Sequence, residues 1–201
     1  MTSAQDERFY LLMPPYFWGA FSIVLVSGSF GDPMRVDGVL QLERTGPFMP
    51  PVTMPETGSL VLSADAADEV RRQWPDSELL PVHKSKIVMI RWETWDRSNE
   101  DPFLIPCDGE PDSYILDGLH SEAASAGLGD LWELPLTEGA DATFVKLGPG
   151  ERDILIRSST WNGADVFTVG RGIIVVSETG KKFFESVANE WLSFRELKSA
   201  D

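Results

Sequence analysis

The stretch from Phe167 to Leu197, FTVGRGIIVVSETGKKFFESVANEWLSFREL, constrains this chain most, because its grammar is strand, cap, helix, strand. Ile173 to Val176 is a continuous β-branched run of the kind that fits a sheet buried on both faces. Ser177 follows where a helix N-cap belongs, and Glu178 falls in the first turn, where the helix dipole favours an anion. Over Thr179 to Asn189 and on to Trp191, helical spacing gathers Gly180, Phe183, Phe184, Val187 and Trp191 on one apolar face. Lys181, Lys182, Glu185 and Glu190 then face water. Trp191 to Leu197 alternates polar with apolar residues, as a returning strand does.

The same grammar occurs earlier, in Gly58 to Val82, GSLVLSADAADEVRRQWPDSELLPV. Leu60 to Leu62 reads as a strand, Ser63 as the cap, Asp65 as the acidic first turn, and Ala66, Ala67, Val70 and Trp74 as the apolar face. Pro75 stops that helix. Aligning Ser63 with Ser177 sets Ala66 on Gly180 and Val70 on Phe184, which predicts a twofold pseudo-repeat of strand-Ser-helix-strand units. Two unrelated strand-helix units would give the same pair of matches. The expected fold is α+β and strand-rich, with Val70/Trp74 and Phe183/Phe184/Val187 packing against mixed sheets.

At 201 residues the chain is long enough to bury a core as one domain, or as two packed halves, 1–92 and 93–201. Hydrophobic residues at 42% and seven Trp exclude a disordered polymer. The single cysteine, Cys107, rules out an intramolecular disulfide and a cysteine-based zinc cluster, which suits a reducing compartment. Phe9 to Gly31 carries no charge and is long enough to resemble a membrane span, but Pro14-Pro15 interrupts it and glycines and serines dilute it. Within it Phe9 to Met13 and Phe21 to Val26 read as strands.

Further along, Val36 to Glu43 reads as a short strand or hairpin. The proline-rich Thr45 to Thr57 predicts an extended surface loop. Ile87 to Trp92 reads as a strand in a central position. Glu93 to Leu136 is the least regular segment, with a short helix around Ser121 to Ala126. Thr143 to Leu147 and Arg152 to Ser158 form a hairpin across Gly148-Pro149-Gly150, and Asn162-Gly163 marks a turn.

Formal charge is the strongest compositional fact: −15 at pH 7. Fifteen Asp and Glu fall between Glu93 and Asp153, against Arg97, Lys146 and Arg152. Such a field repels nucleic acid and anionic membrane and attracts a basic protein or cations. Glu93, Asp96, Glu100, Asp101, Asp108, Glu110 and Asp112, with Trp95 among them, are the candidate partner-binding residues, because electrostatic complementarity speeds association without any single required spacing. Asp108-Gly109-Glu110-Pro111-Asp112 has the oxygen ligands a hard cation prefers but not the order of an EF-hand loop. Exposed aromatic residues beside these acids would anchor a binding hot spot.

Histidine is scarce. His83 and His120 stand in no metal-ligating spacing, and no G-x-S-x-G elbow accompanies the His120-Ser121-Glu122 run, so neither a metal centre nor a nucleophilic hydrolase is expected. No cofactor is implied.

Val166-Phe167-Thr168-Val169, then Gly172 through Glu178, Phe183-Phe184 and Trp191-Leu192-Ser193-Phe194, together resemble the C-terminal signature of a family of bacterial immunity proteins from polymorphic toxin systems. Leu60-Val61-Leu62-Ser63, with its exit at Leu80-Pro81-Val82, is similar to that family's first-half element. The approach Trp161 to Phe167 is similar to relatives that carry two C-x-x-C-G motifs. This chain lacks both cysteine pairs, so their metal site does not carry over. The resemblance implies a cytoplasmic, non-catalytic protein that binds and neutralises a cognate toxin, here a basic one, with oligomeric state left open. The competing expectations are a small hydrolase using paired carboxylates and a non-catalytic secretion adaptor or chaperone.

Overall fold

The structure is a computed structural model that describes residues 7–13, 35–54, 58–90, 115, 117–148, 151–170 and 172–200. It is α+β and strand-rich, and divides into two compact units: Met1–Met13 with Leu136–Asp201, and Pro14–Pro135. Strand β1 (Phe9–Met13) is built into the sheet of the C-terminal unit, where its backbone pairs antiparallel with β12 (Ile173–Ser177) on one side and β13 (Ser193–Glu196) on the other.

In that C-terminal unit, β11 (Val166–Val169) completes a sheet of order β11-β12-β1-β13. A second sheet holds the hairpin β9 (Ala142–Gly148) and β10 (Glu151–Ile156), with the short β14 (Lys198–Ser199) parallel to β10. Side chains alternate across a strand, so β1 sends Phe9 and Leu11 to one face and Tyr10 and Leu12 to the other. Phe9, Phe167, Val169 and Val175 meet Ile154 and Ile156 of the second sheet in a shared core. Phe9 packs edge-on against Trp161 and Phe167, with ring centroids 5.3 and 5.9 Å apart. The face carrying Tyr10 and Val176 is covered by helix α3 (Glu178–Ala188), which buries Phe183, Phe184 and Ala188 while Val187 is half-buried. The strand after α3 begins at Ser193, because a short 3₁₀ turn, Asn189–Trp191, buries Trp191 first.

In the Pro14–Pro135 unit, β2 (Arg35–Val36) and β3 (Val39–Gly46) form a hairpin. Its tip is Asp37-Gly38, both at positive φ, the geometry that matches strand twist. β7 (His83–Met89) runs parallel to β3 and, among the described residues, ends this sheet, with an isolated bridge from Val88 to His120 on its far side. The expected central strand is therefore a border strand among the described residues. The second sheet is all antiparallel, in the order β4 (Val52–Thr53), β5 (Ser59–Ser63), β8 (Leu131–Pro135), β6 (Leu80–Pro81). Leu40, Leu42, Val61 and Leu131 join the two sheets, and helix α2 (Glu122–Gly127) adds Ala124 and Leu128 against Ile87. Helix α1 (Ala64–Gln73) lies on β5 and β8 through Ala66, Ala67 and Val70, with Trp74 as its half-exposed C-cap.

Three further expectations change. The two longer helices rest on antiparallel sheets, not mixed ones; the mixed sheets are β2-β3-β7 and β14-β10-β9. The proline-rich stretch after Thr45 is not a surface loop throughout, since Pro50, Val52 and Thr53 are buried and Val52 and Thr53 pair with β5. Leu131–Pro135, expected to be irregular, is an interior strand of its sheet. The expected strand Phe21 to Val26 lies outside the described residues.

Candidate functional site

Both histidines of the chain line one cleft of about 460 Å³ in the Pro14–Pro135 unit, together with Val82, Lys84, Ser85, Glu122 and Ser125. Three pieces of local structure bring them there. The first is a bulge in the parallel β3–β7 ladder: Leu42 pairs with Lys84 and Glu43 with Lys86, which leaves Ser85 as the extra residue. The Ser85 hydroxyl donates to Leu42 O at 3.1 Å, so the bulge is satisfied internally.

The second is the segment entering α2. Ser121 N donates to Ile87 O at 2.7 Å, and Ile87 N donates to His120 Nδ1 at 3.1 Å, so one β7 residue fixes both the backbone and the imidazole. The third is the helix itself. Ser121 caps its start, accepting Ala124 N at 3.2 Å, and Lys84 Nζ closes its end by donating to Ser125 O and Gly129 O at 2.7 and 2.8 Å.

This arrangement settles the chemistry of His120. A backbone N–H only donates, so Nδ1 is the acceptor and the proton sits on Nε2. Nε2 faces Glu122 Oε1 at 3.7 Å, and that carboxylate is 95% exposed. The hydroxyl of Ser121 is engaged at the helix cap and that of Ser85 at Leu42, so these serines and His120 do not form a nucleophile-base pair. Among the described residues no group of three His, Cys, Asp or Glu side chains is placed to hold a metal ion.

The remaining charged clusters tie elements together. Glu133 is fully buried between the two sheets of its unit and receives both guanidinium nitrogens of Arg35, one at 2.7 Å. That hydrogen bonding holds the Arg35 pKa above its ordinary value. On the opposite face of β8, Arg71 of α1 lies 4.4 Å above the Trp132 ring. In the other unit Tyr10 donates to Glu178 at 2.6 Å, while Arg8 and Lys182 lie 3.1 and 3.4 Å from the same carboxylate. Burial, then the Glu178 bond, pushes Tyr10 up to about 12, and the Tyr10 hydrogen bond, followed by Lys182 and Arg8, holds Glu178 below the usual carboxylate range.

The residues expected to bind a partner, Glu93, Trp95, Asp96, Glu100, Asp101, Asp108, Glu110 and Asp112, all lie outside the described residues, as does Cys107. Trp161 packs on Phe9 and donates its Nε1 to Ala164 O at 2.9 Å, and Trp132 stacks under Arg71. The convergence of His83 with His120 was not legible in the sequence. Thirty-six residues separate them, and the bulge and bridge that unite them carry no motif. Set against known proteins, the chain matches no protein-family model and no curated relative.

Proposed function

We propose that this chain is an immunity protein that binds and neutralises a cognate, basic toxin in the cytoplasm, without chemistry of its own. One observation carries the reading. Among the described residues, nine Lys and Arg side chains lie within 4.0 Å of the chain's own carboxylates, and Arg44 is fully buried. These nine cations are thus held in the protein's own ion pairs while a formal charge of −15 sets the net field that a partner meets. A basic protein surface is the complement of that field, and long-range attraction raises association rates by roughly 10 to 10³-fold. The acidic and aromatic segment Glu93 to Asp112 is the surface assigned to the toxin.

The finer architecture supports the same family reading. In each unit the strand before the helix lies second in an antiparallel sheet, and the third strand comes from a distant part of the chain. In each, a serine hydroxyl caps the helix by accepting the N–H three residues on, Ala66 for Ser63 and Gly180 for Ser177. We read these as the two pseudo-repeats of an immunity-type fold. No helix among the described residues is long and apolar enough to cross a membrane.

The test is co-expression of the tagged protein with the product of its neighbouring gene. A stoichiometric complex that restores growth is expected. A toxic neighbour whose effect persists, with no complex recovered, would overturn the assignment.

A further inference from the structure

We infer that the cleft lined by His83, Lys84, His120 and Ser125 is a binding site for an oxyanion, either a carboxylate or a phosphate group. Three donors converge on it, and the cation among them, Lys84, has no carboxylate partner among the described residues. His120 holds its Nδ1 against the Ile87 N–H, so Nε2 presents a proton to the cleft. Lys84 is held in place by two carbonyls, Ser125 O and Gly129 O; an ammonium has three N–H groups, so one donor and the full positive charge remain. Ser125 lines the cleft, and its hydroxyl adds a third donor there.

The same geometry selects an anion over a metal. A ring whose Nε2 carries the proton cannot ligate through that atom, which leaves His83 and Glu122 as the cleft's metal-ligand types. Glu122 instead behaves as a weak internal occupant: its carboxylate hovers 3.7 Å from the His120 donor while 95% exposed, free to swing away when a better anion enters. At about 460 Å³ the cleft is large enough for a phosphate or for a carboxylate-bearing side chain. On a protein of formal charge −15, this is a local reversal of polarity. It is independent of the toxin-binding reading and involves none of the acidic residues assigned to it.

The probes are inorganic phosphate and acetate, titrated separately into the full chain at constant pH and ionic strength. The readout is the imidazole ring resonances in NMR; with two histidines in the sequence, each gives its own signal. Both signals are expected to shift saturably in the millimolar range. Ser125→Ala should weaken binding by about tenfold, the worth of one hydrogen bond to a charged group, and Lys84→Gln should abolish it. Glu122→Gln, at an exposed position, should tighten binding several-fold by removing the competing carboxylate. Saturation by phosphate alone identifies a phosphate ligand, by acetate alone a carboxylate, and by both a shared oxyanion site. Shifts that stay linear with both probes, or affinities equal in wild type, Ser125→Ala and Glu122→Gln, would overturn the inference. The last two variants leave the Lys84 clamp on α2 intact, so a misfolded Lys84→Gln protein does not obscure the result.

Discussion

The hydroxyl of Ser177 donates to the carboxylate of Asp165 at 2.6 Å while it accepts the N–H of Gly180 at 3.1 Å. Ser177 N also donates to Asp165 O at 3.0 Å, so one fully buried serine joins the approach to β11, the end of β12 and the start of α3. Ser63 caps α1 with the N–H of Ala66 at 3.3 Å, and among the described residues no carboxylate bonds its hydroxyl. Ser63→Ala should therefore cost about 1 kcal/mol, the ordinary worth of a cap. Ser177→Ala should cost about 2–3 kcal/mol, since a charge-assisted bond is lost with the cap. Urea unfolding of the two variants compares them directly; equal losses would mean that the Asp165 contact contributes nothing.

Gly180 meets a different constraint. A Cβ there would collide with Asp165 O and stand 3.2 Å from Val176 Cβ. In an open helix, Gly→Ala gains about 1 kcal/mol. Here the backbone oxygen cannot yield as a flexible side chain would, so Gly180→Ala is expected to destabilise by about 2 kcal/mol or more. A thermal midpoint at or above that of the wild type would show that α3 can move off the strand.

These two positions also mark what can be read from sequence and what cannot. Ser177, Glu178, Phe183 and Phe184 announce a capped amphipathic helix because cap chemistry and 3.6-residue spacing are local. The place of β1 between β12 and β13 is not local: it depends on pairing Leu11 with Val175 and with Arg195, far along the chain. Leu131–Pro135 was obscured for a related reason. Its Glu133 looks like a surface residue until Arg35, from another sheet of the same unit, is seen to neutralise it. The cleft histidines are the extreme case, since a bulge and a single bridge align them.

Tyr10 and Glu178 give the C-terminal unit two pH-dependent contributions of opposite sign. Glu178 has its pKa lowered in the folded state, so its contribution is present above the ordinary carboxylate value of about 4.3 and is lost as pH falls through the folded value. Tyr10 is the opposite case. Its folded pKa is raised to about 12, so its contribution is complete below about 10 and is lost as pH rises towards 12. Tyr10→Phe should lower stability near neutrality by about 1 kcal/mol and remove the tyrosine's share of the alkaline loss. Denaturation midpoints across the alkaline range, with tyrosinate absorbance as a second probe, check both. An unchanged alkaline slope in Tyr10→Phe would assign that loss to other groups.

Arg44 is fully buried; its Nε donates to Thr45 O at 3.0 Å and one Nη to Phe48 O at 3.2 Å, while its other Nη has no partner. Burial lowers its pKa to about 9. The cost of the desolvated charge is therefore present below about 9 and is relieved as pH rises above that value. Arg44→Met removes the charge and keeps most of the volume, at the expense of two hydrogen bonds worth about 1 kcal/mol each. The expected outcome is a change between neutral and about 2 kcal/mol stabilising, measured by chemical denaturation at pH 7. A loss of several kcal/mol would show that the guanidinium is compensated by a contact beyond Thr45 and Phe48.

The assigned toxin surface can be separated from folding by charge reversal at Glu100, Asp101, Asp108 and Glu110 together. Asp and Glu are rarely core residues, so the unfolding midpoint should move little, as for surface substitutions within about 0.5 kcal/mol each. Association is where the change belongs. Reversing four acids removes eight units of charge difference from a surface whose attraction acts before contact, so the association rate should fall by about tenfold or more at low salt. The wild-type rate should drop steeply as salt rises, and the variant's should be nearly flat, because screening weakens only an attraction that is there. Stopped-flow mixing with the purified cognate toxin across a salt series gives both numbers. Coincident salt slopes for the two proteins would remove these four acids from the encounter surface and return the acidic excess to a role in solubility.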